Sequence, residues 1–406
     1  MMSTATLRKW LLFIAILLSG GLPWIPRLPL LGLFVVGYFM LPGNRGFDRR
    51  LLPPALLLAV IFMITILRPG GLEGLSFLIR AANFLGGLLL LNIYLKEPDG
   101  TLARDLYPIL KWFSVQALAT VALGSITPFL FMHISYDGPD YRTLFGLLNF
   151  HYMRGGEVES IRPDGFFWEP GVLQAYLNIH LILALFIFRN WRQAVLAAFA
   201  VISTRSTTGV MILAMICGSY FLQRLQIRNM RNLVASVVLG AALLVPIGFI
   251  AADNIQDKFT GEGRGSFWAR QYDLFTGLNV LRANWLVGIG FDYDTYTNAA
   301  RTLGYSESPL AVVGGSGVQD RQNTNGIVFL FYSLGIPLAL PFLIGMFRQR
   351  LLPHRWLIGI LLFLSLFSET YVFTPLPLCL MFSGLVGRWK LNMARSQRLP
   401  QEQRAG

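Results

Sequence analysis

Ser203-Thr204-Arg205-Ser206-Thr207-Thr208-Gly209 decides how this chain is read. Apolar runs flank it closely, over 192–204 and 207–223, and leave no room for a loop. Two apolar segments joined so tightly make a helical hairpin with Arg205 at its tip. A guanidinium at the edge of an apolar medium needs water or an anionic partner. Ser206, Thr207 and Thr208 begin the second helix of the hairpin. Free N–H groups and a partial positive charge at such a start favour phosphate, and the planar guanidinium adds bidentate recognition. The plainer alternative is an arginine snorkelling to lipid headgroups.

The apolar pattern extends in both directions from this hairpin. Hydrophobic residues make up 54% of the chain and charged residues 14%, against roughly 25% charged in soluble proteins. Segments that approach the length of a membrane span, roughly 17–25 residues, occur at 10–25, 28–42, 51–67, 75–95, 111–132, 171–188, 192–204, 207–223, 233–251, 326–347, 355–371 and 373–387. The expected fold is an all-α polytopic membrane protein of about twelve transmembrane helices. It forms a single integral membrane domain over 1–406, with long outer loops at 133–170 and 252–325.

Charge orients this arrangement. The inner segments, among them Arg8, Arg104, Arg189, Arg192, Arg348 and Arg355, hold 21 of the 34 basic residues but only 5 of the 21 acidic ones. This is the positive-inside bias, and it puts both termini in the cytoplasm. The net charge of +13 is then topological and needs no nucleic-acid partner. Cys217 and Cys379 fall inside apolar spans and read as packing residues. The four histidines lack ligand spacing, so no metal or other cofactor is expected.

Candidate chemistry collects at the outer boundary. In Arg162-Pro163-Asp164-Gly165-Phe166-Phe167-Trp168-Glu169-Pro170-Gly171, Glu169 directly precedes a proline suited to the first turn of a helix. A carboxylate held there stays ionised and can act as a base toward a hydroxyl; the alternative is a capping acid. Arg162 can pair with Glu169 or with substrate. Arg80 enters the fourth span from its outer end, and Arg264 and Arg270 add outer positive charge. Asn323 and Asn325 precede the tenth span, where amides can bind sugar hydroxyls or cap the helix. A surface helix is expected near 266–284, with Ser266 as its cap. Gly288-Ile289-Gly290 lacks the third glycine and the preceding strand of a nucleotide site.

Taken together, these features resemble the bacterial O-antigen polymerase and ligase superfamily. The residues that carry the likeness are Arg205 before Ser-Thr-Thr-Gly, Gly263-Arg264-Gly265-Ser266-Phe267-Trp268, Gly288-Ile289-Gly290, and Asn325-Gly326 leading to Leu334-Gly335. The segment from Arg162 to Gly171 is similar to the branch that carries Glu-Pro-Gly after its first long loop. The resemblance implies a metal-independent, inverting glycosyltransferase of GT-C type in the bacterial cytoplasmic (inner) membrane. Its substrate would be an undecaprenyl-diphosphate-linked oligosaccharide, its surroundings membrane lipids, and its partner a chain-length regulator protein. Outer arginines would neutralise the departing diphosphate. Ligases of this kind show a His-Asn pair where this chain has Thr324-Asn325. That shifts the base to Glu169 and favours a repeat-unit polymerase. A ligase, and a flippase or transporter of lipid-linked oligosaccharide, are the competing readings.

Overall fold

The computed structural model describes residues 3–20, 27–42, 46–68, 74–135, 140–152, 161–224, 264–308 and 323–386. The helices, numbered here in chain order, begin with α1 (Thr4–Leu18), α2 (Arg27–Met40), α3 (Leu52–Leu67), α4 (Gly74–Leu95) and α5 (Thr101–Ile126). α6 (Pro170–Ile182), continued by a wider π-type turn over Leu183–Ile187, leads to α7 (Trp191–Ser203) and α8 (Thr207–Arg224). After an interval outside the described residues come α9 (Arg264–Ala283), α10 (Tyr293–Leu303), α11 (Gly326–Leu334), α12 (Ile336–Arg348), α13 (Arg355–Ser368) and α14 (Pro375–Leu385).

The chain is mostly helical, and it is built for an apolar medium. Among the described residues, four helices are long and apolar enough to cross a membrane: Arg49–Leu67, Phe77–Leu95, Thr101–Ile126 and Pro170–Ile187. Shorter apolar helices occupy most of the other expected segments. The expected segment 233–251 lies outside the described residues.

Burial sorts these helices. α14 is enclosed on every side, with Pro375 to Gly384 all buried. α4 and α12 flank it closely. The close approach depends on missing side chains. A Cβ on Gly384 would strike the carbonyl of Gly345 in α12, and a Cβ on Gly87 in α4 would strike Leu378. Small residues let helix backbones touch where lipid supplies no hydrophobic drive. Along α6 every residue from Pro170 to Ile182 is also buried, whereas α3 turns most of its surface outward.

Three expectations are corrected. The tenth expected span, 326–347, is two helices. The chain breaks at Gly335, where φ is +76°, and Pro337 follows in the first turn of α12. A Cβ at Gly335 would meet the backbone of Leu286, and one at Gly288 the backbone of Ser333. Gly288-Ile289-Gly290 therefore wraps around the break, with Ile289 N donating to Tyr332 O (2.8 Å) and Gly290 N to Ser333 O (3.0 Å). The chain is also not purely α-helical. The segment between α5 and α6 contains an antiparallel four-stranded sheet in the order β1 (Met132–Ser135), β2 (Asp140–Leu144), β3 (Leu148–Tyr152), β4 (Ile161–Pro163). β2 alternates as a half-buried strand should, with Tyr141 and Thr143 inward. Phe145 and Gly146, both at positive φ, turn the chain into β3. The helix expected near 266–284 is present as α9. It begins at Arg264, so Ser266 lies inside its first turn rather than at its cap.

The two ends of the bundle differ in charge. One end gathers the starts of α6, α8, α11 and α14 with the ends of α7 and α13. The opposite end holds the start of α1 and the α4–α5, α6–α7 and α12–α13 connections, which carry Arg8, Lys96, Arg104, Arg189, Arg348 and Arg350. There Arg8, nearly buried, pairs with Asp105 (2.6 Å) and Glu97 (2.7 Å) and ties α1 to the α4–α5 connection.

The glycine contacts give a direct test. Gly384→Leu forces α14 away from α12, and overpacking of this kind costs about 1–3 kcal/mol. Thermal unfolding of the purified protein in detergent should show a clear loss. Gly218→Leu, where nothing would meet the new Cβ, should show almost none.

Candidate functional site

The segment from Arg162 to Gly171 is held at one end of the bundle by groups around almost every residue. β4 carries Arg162 opposite His151 on β3. Asp164 is fully buried and accepts from His151 Nδ1 at 2.9 and 3.2 Å. Asp164 N donates to Asn149 O, and Asn149 Nδ2 donates to Gly165 O (2.7 Å). Gly165 takes φ +63°, which turns the chain back toward α6. Phe166 then stacks on Trp112 of α5 and Phe167 on Tyr176 of α6. With both rings committed to the core, Trp168 O is anchored by the Tyr141 hydroxyl (2.8 Å), and Glu169 is left facing outward.

Glu169 occupies the N-cap position of α6 but makes no capping hydrogen bond, and its side chain is exposed. Its partner is a residue that sequence reasoning missed. Glu369, just past the end of α13, is buried, and the charge of Glu169 acts on it. Arg270 Nη2 approaches Glu369 Oε1 at 3.7 Å. Burial pushes the Glu369 carboxyl well above the usual range, and the neighbouring Glu169 charge pushes it further; Arg270 and Arg162 oppose both effects. Gly171 makes room for this carboxyl, since a Cβ there would collide with it. Gly326, at the start of α11, likewise lies against the Glu369 carbonyl.

Arg162 bridges this cluster to the α7–α8 turn, its Nε donating to Thr204 O (3.3 Å). Burial pulls its guanidinium below the usual arginine range, opposed by the charges of Asp164, Glu169 and Glu369. Arg205 follows Thr204, exposed and with φ at +51°, an uncommon conformation for a residue with a Cβ. Ser206 Oγ accepts from Gly209 N (3.3 Å), so α8 starts where the sequence placed it. Thr207 Oγ1 is buried in that first turn and has no hydrogen-bond partner among the described residues.

The remaining expected site residues are distributed differently. Arg270 belongs to the cluster. Arg80 is half-buried in α4, with its guanidinium 5.3 Å from the centre of the Phe329 ring, a cation–π arrangement. Asn323 is buried and donates to Asp273 O (2.6 Å) and Tyr296 Oη (3.1 Å). Asn325 caps α11, accepting from Val328 N (3.0 Å). Between them, Thr324 donates both its N–H and its hydroxyl to Asp273 Oδ2. Arg264 opens α9, and its side chain lies outside the described residues. Among the described residues, no group of three or more His, Cys, Asp or Glu side chains stands together as a metal-ligand set.

The signal for Glu369 was present in the sequence: it is the only acidic residue between Asp320 and Glu402, in a stretch of apolar runs. A lone acid in such surroundings deserved a partner. No protein-family model matches this chain, and no curated protein matches it.

The buried aspartate has a measurable consequence. Desolvation raises Asp164 from 3.8 to about 6, partly offset by His151 and Arg162. Between those values the folded protein holds a proton that the unfolded chain has released. The stability this group contributes therefore falls as pH rises from about 4 to about 6. Asp164→Asn removes that titration. Unfolding temperatures measured from pH 4 to pH 7 should then show a flatter decline, or a steeper rise, with pH in the variant than in wild type.

Proposed function

We propose that this chain is an inner-membrane glycosyltransferase that polymerises undecaprenyl-diphosphate-linked oligosaccharide repeat units. In this reading it crosses the membrane about twelve times, with the arginine-rich end of the bundle cytoplasmic and the Glu169 end outside. The observation that carries the reading is Glu169: an exposed carboxylate at a helix start, free of capping duty, whose charge acts on Arg162.

The chemistry needs a base and an anion site side by side. Glu169 takes the proton of the acceptor hydroxyl. Arg205, Arg162 and the start of α8, where the Thr207 hydroxyl lacks a partner, receive the negative charge that develops on the departing diphosphate. Arg264 and Arg80 extend the basic surface toward the lipid-linked saccharide, and Asn323 and Asn325 frame its edge. Resident metal has no part in this scheme. Chain length is set outside this chain, by a regulator protein.

A ligase would need a base at the Thr324 position, and Thr324 is fully engaged by Asp273. A transporter would use the buried polar row Gln174, Asn178 and His180 along α6. That row bonds to Ser365, Gly209 O and Ser114, and so joins α6 to α13, α8 and α5.

Two experiments test the proposal. The purified chain in proteoliposomes, given a lipid-linked repeat unit, should make a ladder of products that persists with a chelator present. Glu169→Gln should slow it about 10²- to 10⁴-fold, the usual range for loss of a general base. Arg205→Lys should slow it at least tenfold, since one lost charge-assisted hydrogen bond is worth about 1.5–3 kcal/mol. No ladder, or a wild-type rate for Glu169→Gln, overturns the reading. Topology is tested separately, in a background with Cys217 and Cys379 replaced. A cysteine at Ser306 should react with an impermeant reagent applied outside, and one at Gly46 should not.

A further inference from the structure

The arginine-rich pole holds a cavity that the proposed reaction does not use. It opens between the end of α12, the start of α13 and the end of α14, with a volume of about 330 Å³. Small-molecule sites occupy roughly 300–1,000 Å³. Among the described residues its walls carry three arginines, Arg348, Arg350 and Arg355, and no acid. Ile344 and Leu385 add apolar wall.

Short contacts fix these walls. Gly384 of α14 lies against the backbone of Gly345 in α12. Gln349 is buried and closes on Leu352, donating to its carbonyl (2.9 Å) and accepting from its N–H (3.0 Å). Arg350 N donates to Ser383 Oγ of α14 (3.1 Å). With Gln349 turned inward, the arginines on either side of it line the cavity. α13 starts at Arg355 without a side-chain cap, which leaves N–H groups free in its first turn.

The acids of this pole are committed elsewhere. Glu97 and Asp105 pair with Arg8, and Asp48 with Arg50. Among the described residues neither Arg348 nor Arg355 pairs with an acid. Guanidiniums gathered around a cavity without a carboxylate call for an anion from outside the chain.

The surface that leads to the cavity indicates what kind. Ile336, Leu340 and Ile344 are exposed and recur every four residues, so they form one stripe along α12. Four residues further on the stripe reaches Arg348, also exposed. Trp356 is exposed next to Arg355, whose guanidinium lies 5.9 Å from the centre of its ring. Tryptophan is enriched where a bilayer meets water. An apolar stripe that ends in guanidiniums matches an acyl chain that ends in a phosphate.

We propose that this cavity binds the phosphate headgroup of an anionic phospholipid, whose acyl chain lies along the α12 stripe. The site requires that the chain sit in a membrane and is independent of the polymerase reading. Guanidinium forks bind phosphate bidentately, and basic pockets between membrane helices hold lipid headgroups in this way. The bound lipid ties α12, α13 and α14 together at the end of the bundle opposite Glu169.

The full-length protein, delipidated in neutral detergent, is titrated with short-chain phosphatidylglycerol, short-chain phosphatidylcholine and glycerol 3-phosphate. Unfolding temperature and native mass spectrometry report binding. Phosphatidylglycerol should raise the unfolding temperature and add a lipid to the mass spectrum, and the other two should do neither at the same concentration. The double variant Arg348→Gln, Arg355→Gln should bind phosphatidylglycerol about tenfold or more weakly, since each basic residue at a membrane surface is worth about fivefold. Arg104→Gln, at the same pole but outside the cavity, should bind as wild type does. Phosphatidylcholine as effective as phosphatidylglycerol overturns the proposal, as does phosphatidylglycerol without effect. Glycerol 3-phosphate as effective as the lipid makes this a site for a soluble phosphate and overturns it too. Affinity unchanged in the double variant, or lost equally in Arg104→Gln, places the lipid elsewhere. The comparison of three ligands on wild type decides the matter even if the double variant does not fold.

Discussion

A carboxyl buried among helix ends constrains everything placed around it. Ionised and alone inside an apolar bundle, Glu369 would cost several kcal/mol or more. The structure meets that cost with neighbours of specific kinds. Glu169 acts on it by its charge, Arg270 and Arg162 approach it, and glycines at positions 171 and 326 leave it room. Those groups come from α6, α9, α11 and β4, so the burial of one acid at the end of α13 fixes how these elements meet. The enclosure of α14 serves the same junction. Its start follows Glu369 by a few residues, and its glycine contact with α12 holds it at the centre.

This junction explains why the conspicuous outer motif has its composition. Phe166 and Phe167 are anchors that sink into α5 and α6. Asp164 and Gly165 make the turn, and Pro170 starts the helix. Glu169 is the residue whose side chain carries no structural duty in its own backbone.

Much of the helical architecture was legible because burial in an apolar medium demands long apolar runs. The hairpin at Arg205 and the starts at Pro170 and Thr207 followed from proline and hydroxyl positions. What was not legible depended on contacts between distant residues. The break at Gly335 lies in a run apolar throughout and is imposed by the backbone at 286–290 packing against it. The sheet between α5 and α6 has strands of three to five residues, too short for alternation to stand out. Asn323 looked available to a sugar, but its amide is consumed by Asp273 and Tyr296, fifty and twenty-seven residues away.

Glu369 shows the limit most plainly. In sequence it reads as a polar boundary between two apolar segments, two residues before the expected end of a span. Only the folded arrangement, with the α13 helix stopping at Ser368 and its carboxyl turned toward the start of α6, converts it into a partner for Glu169. The general lesson is about where charge sits relative to helix ends. A helix end leaves backbone groups unsatisfied, so several ends brought together form a polar interior within an otherwise apolar bundle. An ionisable side chain can be buried there at a cost the rest of the bundle would not tolerate. Here six ends converge at one pole, and the acids and arginines with unusual environments, Asp164, Arg162 and Glu369, lie at that pole as well. The arginine-rich opposite pole satisfies Arg8, the arginine it buries among the described residues, with two acids at close range.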